Sequence, residues 1–169
     1  MRMRAAAANP KPGPPSFEEL LARVDHALRH LDDRIELNRN PLTRLARVEA
    51  LARSRYASSV HPRAVALRDV LDATVQAVLS ELDGERGLWE VREFLALYRS
   101  GATVTRASRT LGLSREHCSR TVKKKALVLV AEKFVRFAMQ RGPLSFPATV
   151  PPSESGREGT AAIVAPGRQ

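Results

Sequence analysis

Residues 103–125 read Thr-Val-Thr-Arg-Ala-Ser-Arg-Thr-Leu-Gly-Leu-Ser-Arg-Glu-His-Cys-Ser-Arg-Thr-Val-Lys-Lys-Lys, and the rest of the chain is interpreted around them. The hydroxyl of Thr103 can cap a helix by accepting a hydrogen bond from a free backbone N–H group. That helix should end at Gly112, because glycine tolerates the left-handed conformation of a tight exit. Leu113 is then expected in the core, and Ser114 is expected to cap a second helix. The pattern predicts two helices joined by a short turn.

The second predicted helix has an apolar side and a polar side. Cys118 and Val122 are four residues apart, so they share one face of an α-helix. At about 100° per residue, the opposite side carries polar residues, namely Glu116, Arg120 and Lys123, with Ser119 at the edge. We expect the apolar side to pack on the first helix while the basic side enters a major groove of DNA.

The same stretch resembles the helix-turn-helix of sigma-70 region 4 and of LuxR-type regulators, which commonly run Gly-Leu-Ser-Leu-Arg-Glu-Ile-Ala-Arg-Arg-Leu-Gly-Leu-Ser before a Val and a Leu four apart. The positions that fall in step without a gap are Gly101, Thr103, Val104, Leu111, Gly112, Leu113 and Ser114. Ser108 occupies the small-residue position where the helices cross, and Cys118 stands where Val or Ile is usual. The resemblance is limited to about residues 88–130, and it implies a DNA-binding role.

Two sets of side chains are candidates for contacts with DNA. The base-reading candidates are Arg115, Glu116, Ser119 and Arg120. Arginine prefers guanine in the major groove, and glutamate can accept a hydrogen bond from cytosine. The candidates for phosphate contacts are Arg106, Arg109, Lys123, Lys124 and the backbone N–H groups behind Ser114.

The charge distribution favours a polyanionic partner. The chain of 169 residues carries a net charge of +10. Residues 17–87 hold 11 basic and 12 acidic groups, whereas residues 88–142 hold 12 basic and four acidic groups. The positive field therefore coincides with the predicted helix-turn-helix, as expected for a protein that binds double-stranded DNA.

Apolar residues recur at helical spacing along the rest of the chain, and no strand pattern competes, so we predict an all-α fold with about six helices. The first four should run from Ser16 to about Leu37, from Asn40-Pro41 to about Tyr56, from Pro62 to Gly84 and from Leu88 to about Ser100. Ser16 is expected to cap the first of these helices and to form a capping box with Glu19. Proline-rich stretches predict a disordered arm over residues 1–15 and a disordered tail over 143–169. Between them lie an N-terminal helical region, 16–87, and the DNA-binding region, 88–142.

The helical region 16–87 is expected to form a dimer interface or to contact another protein. Phe17 to Ile35 carry a nearly coiled-coil seam, which either packs within the monomer or joins two copies. The apolar stretch from Ala126 to Met139 also needs a cover, either from the N-terminal helices or from a second subunit. Lys125 lies in phase with Cys118 and Val122, so it either snorkels past the core or the helix bends there.

A search of the sequence for catalytic or metal-binding patterns disfavours an enzyme. His26 and His30 are four residues apart, but no third metal ligand has suggestive spacing, and the nearby Asp25 is expected on a solvated helix face. Phosphate-binding glycine loops, Cys-x-x-Cys pairs and nucleophile elbows do not occur in the sequence. Neither a cofactor nor a metal is expected. Cys118, the single cysteine, fits a cytoplasmic protein, and neither a signal peptide nor a membrane span is expected.

The sequence thus predicts a sequence-specific DNA-binding transcriptional regulator of bacterial type. Possible partners besides DNA are a second copy of the chain, RNA polymerase or another regulatory protein. Two alternatives stay open at this point. One is a DNA-recognition accessory subunit of a phage packaging or recombination machine, which would use the same helices. The other is a helical protein-interaction adaptor, in which the two helices are only scaffold.

Overall fold

The computed structural model of the protein describes residues 16–139, and every regular element in that part is helical. The α-helices are α1 (Phe17–Arg29), α2 (Arg34–Arg39), α3 (Ala46–Arg55), α4 (Pro62–Leu82), α5 (Trp89–Arg99), α6 (Val104–Leu111), α7 (Arg115–His117) and α8 (Lys123–Met139). Short 3-10 turns cover Pro41–Arg44 and Arg86–Leu88. The predicted all-α class is confirmed. The arm predicted over residues 1–15 and the tail predicted over 143–169 lie outside the described residues.

A π-helical turn, Cys118–Val122, connects α7 to α8 without a break in the helix. The backbone N–H of Lys123 donates to the carbonyl of Cys118, so this turn closes one residue later than an α-helical turn would. The apolar positions after the turn therefore come one residue later in the sequence than regular α-helical geometry would place them. Ala126 is fully buried, and Lys125, which an unbroken α-helix would place in phase with Val122 and Cys118, is exposed.

Side-chain hydroxyls start three of the helices as the sequence predicts. Ser16, Thr103 and Ser114 each accept a hydrogen bond from the backbone N–H three residues later, at 3.1–3.2 Å. The Glu19 carboxylate does not complete a capping box with Ser16, since it pairs with Arg23. These bonds fix the first turn of α1, α6 and α7.

The predicted first helix is in fact two helices. Asp33 interrupts it, because its Oδ1 accepts hydrogen bonds from the backbone N–H groups of Ile35 and Glu36, both at 3.0 Å, and so caps α2. The prediction of one helix to Leu37 is therefore wrong. Ile35 is 58% exposed, so the predicted seam is not continuous along its length.

The second predicted helix starts later than expected. Asn40 caps the 3-10 turn of Pro41–Arg44 rather than an α-helix, with its Oδ1 accepting from the backbone N–H of Leu42 at 3.0 Å. Its Nδ2 donates to the carbonyl of Arg23 at 2.9 Å, which ties this turn to α1. Asn40 is only 2% exposed, so both bonds satisfy polar atoms that burial removes from water.

One hydrophobic core runs through both predicted regions of the chain. α4 packs against α2, α3, α5 and α8, while α8 also packs against α1, α3 and α5. The buried cluster extends from Leu20 in α1 to Phe134 in α8. Leu20, Val24 and Leu28 of the predicted seam are buried inside this monomer. The N-terminal helices therefore cover much of the apolar surface of α8.

Candidate nucleic-acid interface

The chain leaves α6 with the left-handed geometry that the sequence predicts at Gly112. Gly112 has a φ of 68°, in the left-handed region that favours glycine, and its N–H donates to carbonyls of the last turn of α6. The N–H of Leu113 donates to the carbonyl of Ser108 at 2.9 Å. Leu113 is partly buried against the core, and Ser114 then caps α7. α6 and α7 are therefore joined by three residues, 112–114.

The apolar side of the segment after this turn packs inward. Cys118 is fully buried and Val122 is 1% exposed, and α6 contacts both α7 and the π-helical turn. On α6, Ala107 is fully buried and Ser108 is 3% exposed. Burial raises the pKa of the Cys118 thiol, and the negative charge of Glu90 raises it further, so the thiol is not activated as a nucleophile.

All four base-reading candidates are exposed on the outer side of this segment. Arg115 and Glu116 lie in α7, and Ser119 and Arg120 follow in the π-helical turn. The Nη1 of Arg120 lies 2.8 Å from the Oε1 of Glu116, so these two side chains are neighbours and form an ion pair. The side chains of Arg120 and Glu116 remain 80% and 71% exposed, respectively.

Most of the exposed cations around this segment form no ion pair with a described carboxylate, unlike many arginines of α1 to α5. Arg106, Arg109, Arg115 and Lys124 are exposed and form no ion pair with any described residue. Seven arginines of α1 to α5, in contrast, pair with carboxylates: Arg23, Arg29, Arg39, Arg63, Arg68, Arg92 and Arg99. Residues 103–125 hold seven basic residues and a single acidic one, Glu116. This part of the surface therefore carries positive charge that the residues described by the structure leave largely uncompensated.

Lys123 is the exception among the predicted phosphate contacts. Its Nζ lies 2.9 Å from Oδ2 of Asp25 in α1, and its side chain is only 19% exposed. The sequence placed Lys123 on the outer side because it assumed regular α-helical rotation from Cys118. The π-helical turn changes that rotation, and the ion pair draws Lys123 toward the bundle. In this structure Lys123 is not available to a phosphate.

Asp25 is the centre of the contact that holds Lys123. It also accepts a hydrogen bond from the Tyr98 hydroxyl at 2.6 Å and pairs with Arg29 at 2.9 Å. Burial raises the pKa of Tyr98, and the hydrogen bond to Asp25 raises it further. The expectation that Asp25 lies on a solvated helix face is wrong, since its side chain is 13% exposed. Two of its partners, Tyr98 and Lys123, lie 73 and 98 residues away in the sequence, so local periodicity gave no signal for them.

A second polar contact ties α7 to α5. His117 Nε2 lies 2.8 Å from Glu90 Oε2. The backbone N–H of His117 also donates to the Ser114 cap. The side-chain contact adds a second fixed point at the start of the segment that carries Arg115 and Glu116.

The remaining candidates concern metals and membranes. His26 and His30 have ring centroids 4.6 Å apart, but His26 lies 3.4 Å from the Asn40 amide and 4.0 Å from the Glu36 carboxylate. Within residues 16–139, no group of three or more His, Cys, Asp or Glu side chains is placed to hold a metal ion. None of the helices described is both long enough and apolar enough to cross a bilayer.

Comparisons of the chain with family models, with curated proteins and with solved structures found no match. The resemblance to sigma-70 region 4 and LuxR-type helix-turn-helix segments therefore stays a prediction from the residues of the 88–130 stretch.

Proposed function

We propose that this protein binds double-stranded DNA in a sequence-specific manner and acts as a transcriptional regulator, with α6, α7 and the π-helical turn as its helix-turn-helix. The observation that carries the proposal is the exposed segment from Arg115 to Arg120. It lies at the start of a long helix, its apolar side is packed inward through Cys118, and most of the cations around it pair with no carboxylate of residues 16–139. Helices that read DNA place such N-terminal residues against base edges in the major groove.

In the proposed complex the side chains have separate tasks. Arg115, Glu116, Ser119 and Arg120 lie where the bases would pass, and arginine can make a bidentate contact with guanine. Arg106, Arg109 and Lys124 lie on neighbouring turns and would bind phosphates, which position the protein without specifying sequence. For Lys123, the contact with Asp25 favours a structural task instead.

The hydroxyl of Ser114 is already committed to capping α7, so it is not the group that we expect to bind a phosphate. The backbone N–H groups of the first turn of a helix carry partial positive charge and can bind an anion. In the proposed complex these groups would add to the phosphate contacts of Arg106 and Arg109.

The test is a comparison of two double variants of equal charge. Arg115→Ala/Arg120→Ala removes two proposed base contacts, whereas Arg34→Ala/Arg44→Ala removes two exposed arginines of the N-terminal region that form no ion pair within the described part of the chain. DNA sequences selected by the natural protein from a random pool are measured for affinity across a salt series. We expect the first variant to lose the preference for the selected sequence and the second to keep it.

Two results would contradict the proposal. If the natural protein selects no sequence and shows no salt-dependent affinity for DNA, the adaptor hypothesis is favoured. If both double variants weaken binding equally and leave the preference intact, DNA is bound through overall charge and not through α7. A DNA-processing accessory subunit would give the same binding results, and its genomic neighbours would distinguish it from a regulator.

A further inference from the structure

Asp25 connects three helices through its carboxylate. It lies in α1, its Oδ1 accepts from the Tyr98 hydroxyl of α5 at 2.6 Å, and its Oδ2 lies 2.9 Å from the Lys123 Nζ at the start of α8. The Lys123 ammonium also lies 5.5 Å from the centroid of the Tyr98 ring. Tyr98 is 3% exposed, and the side chains of Asp25 and Lys123 are 13% and 19% exposed. Arg29, whose side chain is 53% exposed, also pairs with Oδ2 of Asp25 at 2.9 Å. The other three groups satisfy one another in a site that is largely shielded from water.

Lys123 also closes the π-helical turn through its backbone. Its N–H donates to the Cys118 carbonyl, the bond that makes this turn one residue longer than an α-helical one. Both sides of the turn are anchored. Cys118 is buried against α6 on one side, and the Lys123 side chain is tied to Asp25 on the other.

The contacts of Cys118 and Lys123 explain why the π-helical turn is stable. A π-helical turn is rare because α-helical bonding is normally preferred. Ala126 and Val130 pack α8 into the core, and Cys118 packs on α6. The segment between Cys118 and Ala126 must therefore hold one residue more than a regular α-helical connection would. Releasing Lys123 would remove the anchor on the α8 side, and the extra residue could then move along the helix.

We propose that Asp25 is a positioning residue that holds the π-helical turn through Lys123 and Tyr98 and thereby sets the direction in which Arg115 to Arg120 face. Its effect on DNA rests on the proposed function, whereas its effect on the turn does not. Asp25 touches no DNA in this proposal. Its influence passes through the helix that it anchors.

Hydrogen exchange in the full-length protein tests the effect on the turn. Asp25→Asn weakens the contact with Lys123, and we expect the Lys123 amide to exchange on the order of tenfold faster or more, with the amides of α4 unchanged. Asp72→Asn is the matched control, since Asp72 pairs with Arg99 between α4 and α5 at 2.8 Å and does not touch the turn. It should leave the Lys123 amide protected.

Two further variants separate positioning from general stability. Lys123→Met removes the cation and should reproduce the faster exchange, whereas Lys123→Arg retains the charge and should largely restore protection. If Asp25→Asn speeds exchange evenly throughout the core, or no more at Lys123 than Asp72→Asn does, Asp25 contributes only stability and the proposal is wrong. If Asp25→Asn does not fold, the two Lys123 variants decide the same question.

DNA affinity tests the second part on the same proteins. We expect Asp25→Asn to reduce the ratio of affinities for the preferred and scrambled duplexes about tenfold, with little change in affinity for scrambled DNA. An unchanged ratio together with faster local exchange would overturn the link between the turn and DNA reading. If the natural protein itself prefers no duplex, the proposed function fails, and the exchange result still decides the role of Asp25 in the turn.

Discussion

Arg120 and Glu116 form an exposed ion pair one turn apart, with Nη1 of the arginine 2.8 Å from Oε1 of the glutamate. Exposed pairs of this kind contribute little to folding stability, because water and salt screen them. Their importance here lies in charge. Glu116 is the only acidic residue in the 103–125 stretch, and it is paired with a proposed base-reading side chain.

Replacement of Glu116 by Gln should therefore increase binding to DNA of any sequence. The change removes the carboxylate that faces DNA and with it the repulsion between that carboxylate and the phosphates, so the salt dependence should become steeper. Affinity for scrambled duplexes across a salt series measures this. Glu132→Gln, an exposed position on α8 without an ion pair to any described residue, is the control and should have a much smaller effect. An equal gain from both variants would contradict the role of Glu116.

Arg120→Ala and Lys124→Ala should distinguish a side chain that recognises bases from one that binds phosphates. Arg120 lies in the middle of the exposed segment, so its loss should cost about 1–3 kcal/mol of binding on the preferred duplex and much less on unrelated DNA. Lys124 lies beyond the π-helical turn, and its loss should weaken both duplexes alike and reduce the salt slope by about one unit. Equal weakening of both duplexes by Arg120→Ala would show that the helix is placed wrongly in the groove.

Gly112→Ala should destabilise the fold through the turn between α6 and α7. The φ of 68° is unfavourable for alanine, and we expect a loss of about 1–2 kcal/mol in the free energy of unfolding measured with urea. Gly87→Ala is the control, because Gly87 has no positive φ and a Cβ there would meet no atom within 4 Å. An equal loss at both positions would show that the left-handed turn is not the cause.

Neither tyrosine should ionise in the native protein near pH 10, the ordinary value for a phenol. The chain has two tyrosines; burial and a hydrogen bond to Asp69 raise the pKa of Tyr56 to about 12, and burial and Asp25 raise that of Tyr98. The stability that these neutral phenols provide is fully present below pH 10 and is lost as the pH rises through the raised values. Absorbance at 295 nm should show no phenolate step near pH 10 until the protein is unfolded with guanidinium. A native step of one tyrosine equivalent near pH 10 would disprove this.

Local chemistry made much of the fold predictable. Ser16, Thr103, Ser114 and Gly112 act through neighbours within a few residues, and the structure has the three caps and the left-handed turn where the sequence predicts them. The break before α2 was also readable, because Asp33 is a good capping residue followed three positions later by Glu36. The apolar periodicity that continues to Ile35 concealed it.

The candidate site was less predictable because rotation about a helix depends on contacts distant in sequence. Lys125 in phase with Cys118 was the signal that regular α-helical geometry fails between them. Periodicity does not say that the departure is a π-helical turn, and it does not say that Lys123 turns toward Asp25. Those outcomes depend on the packing of α1 and α5 against α8, which only the folded chain defines.

The helix that starts at Arg115 continues into α8, which contributes core residues such as Phe134, 1% exposed. A synthetic peptide covering only 103–125 would lack both the Asp25 carboxylate and the helices against which α8 packs. Transplanting those residues onto a different scaffold should therefore transfer their charges without their orientation. For domain exchange, a useful cassette has to include all of α1 to α8, and a boundary placed near residue 88 would cut through the core.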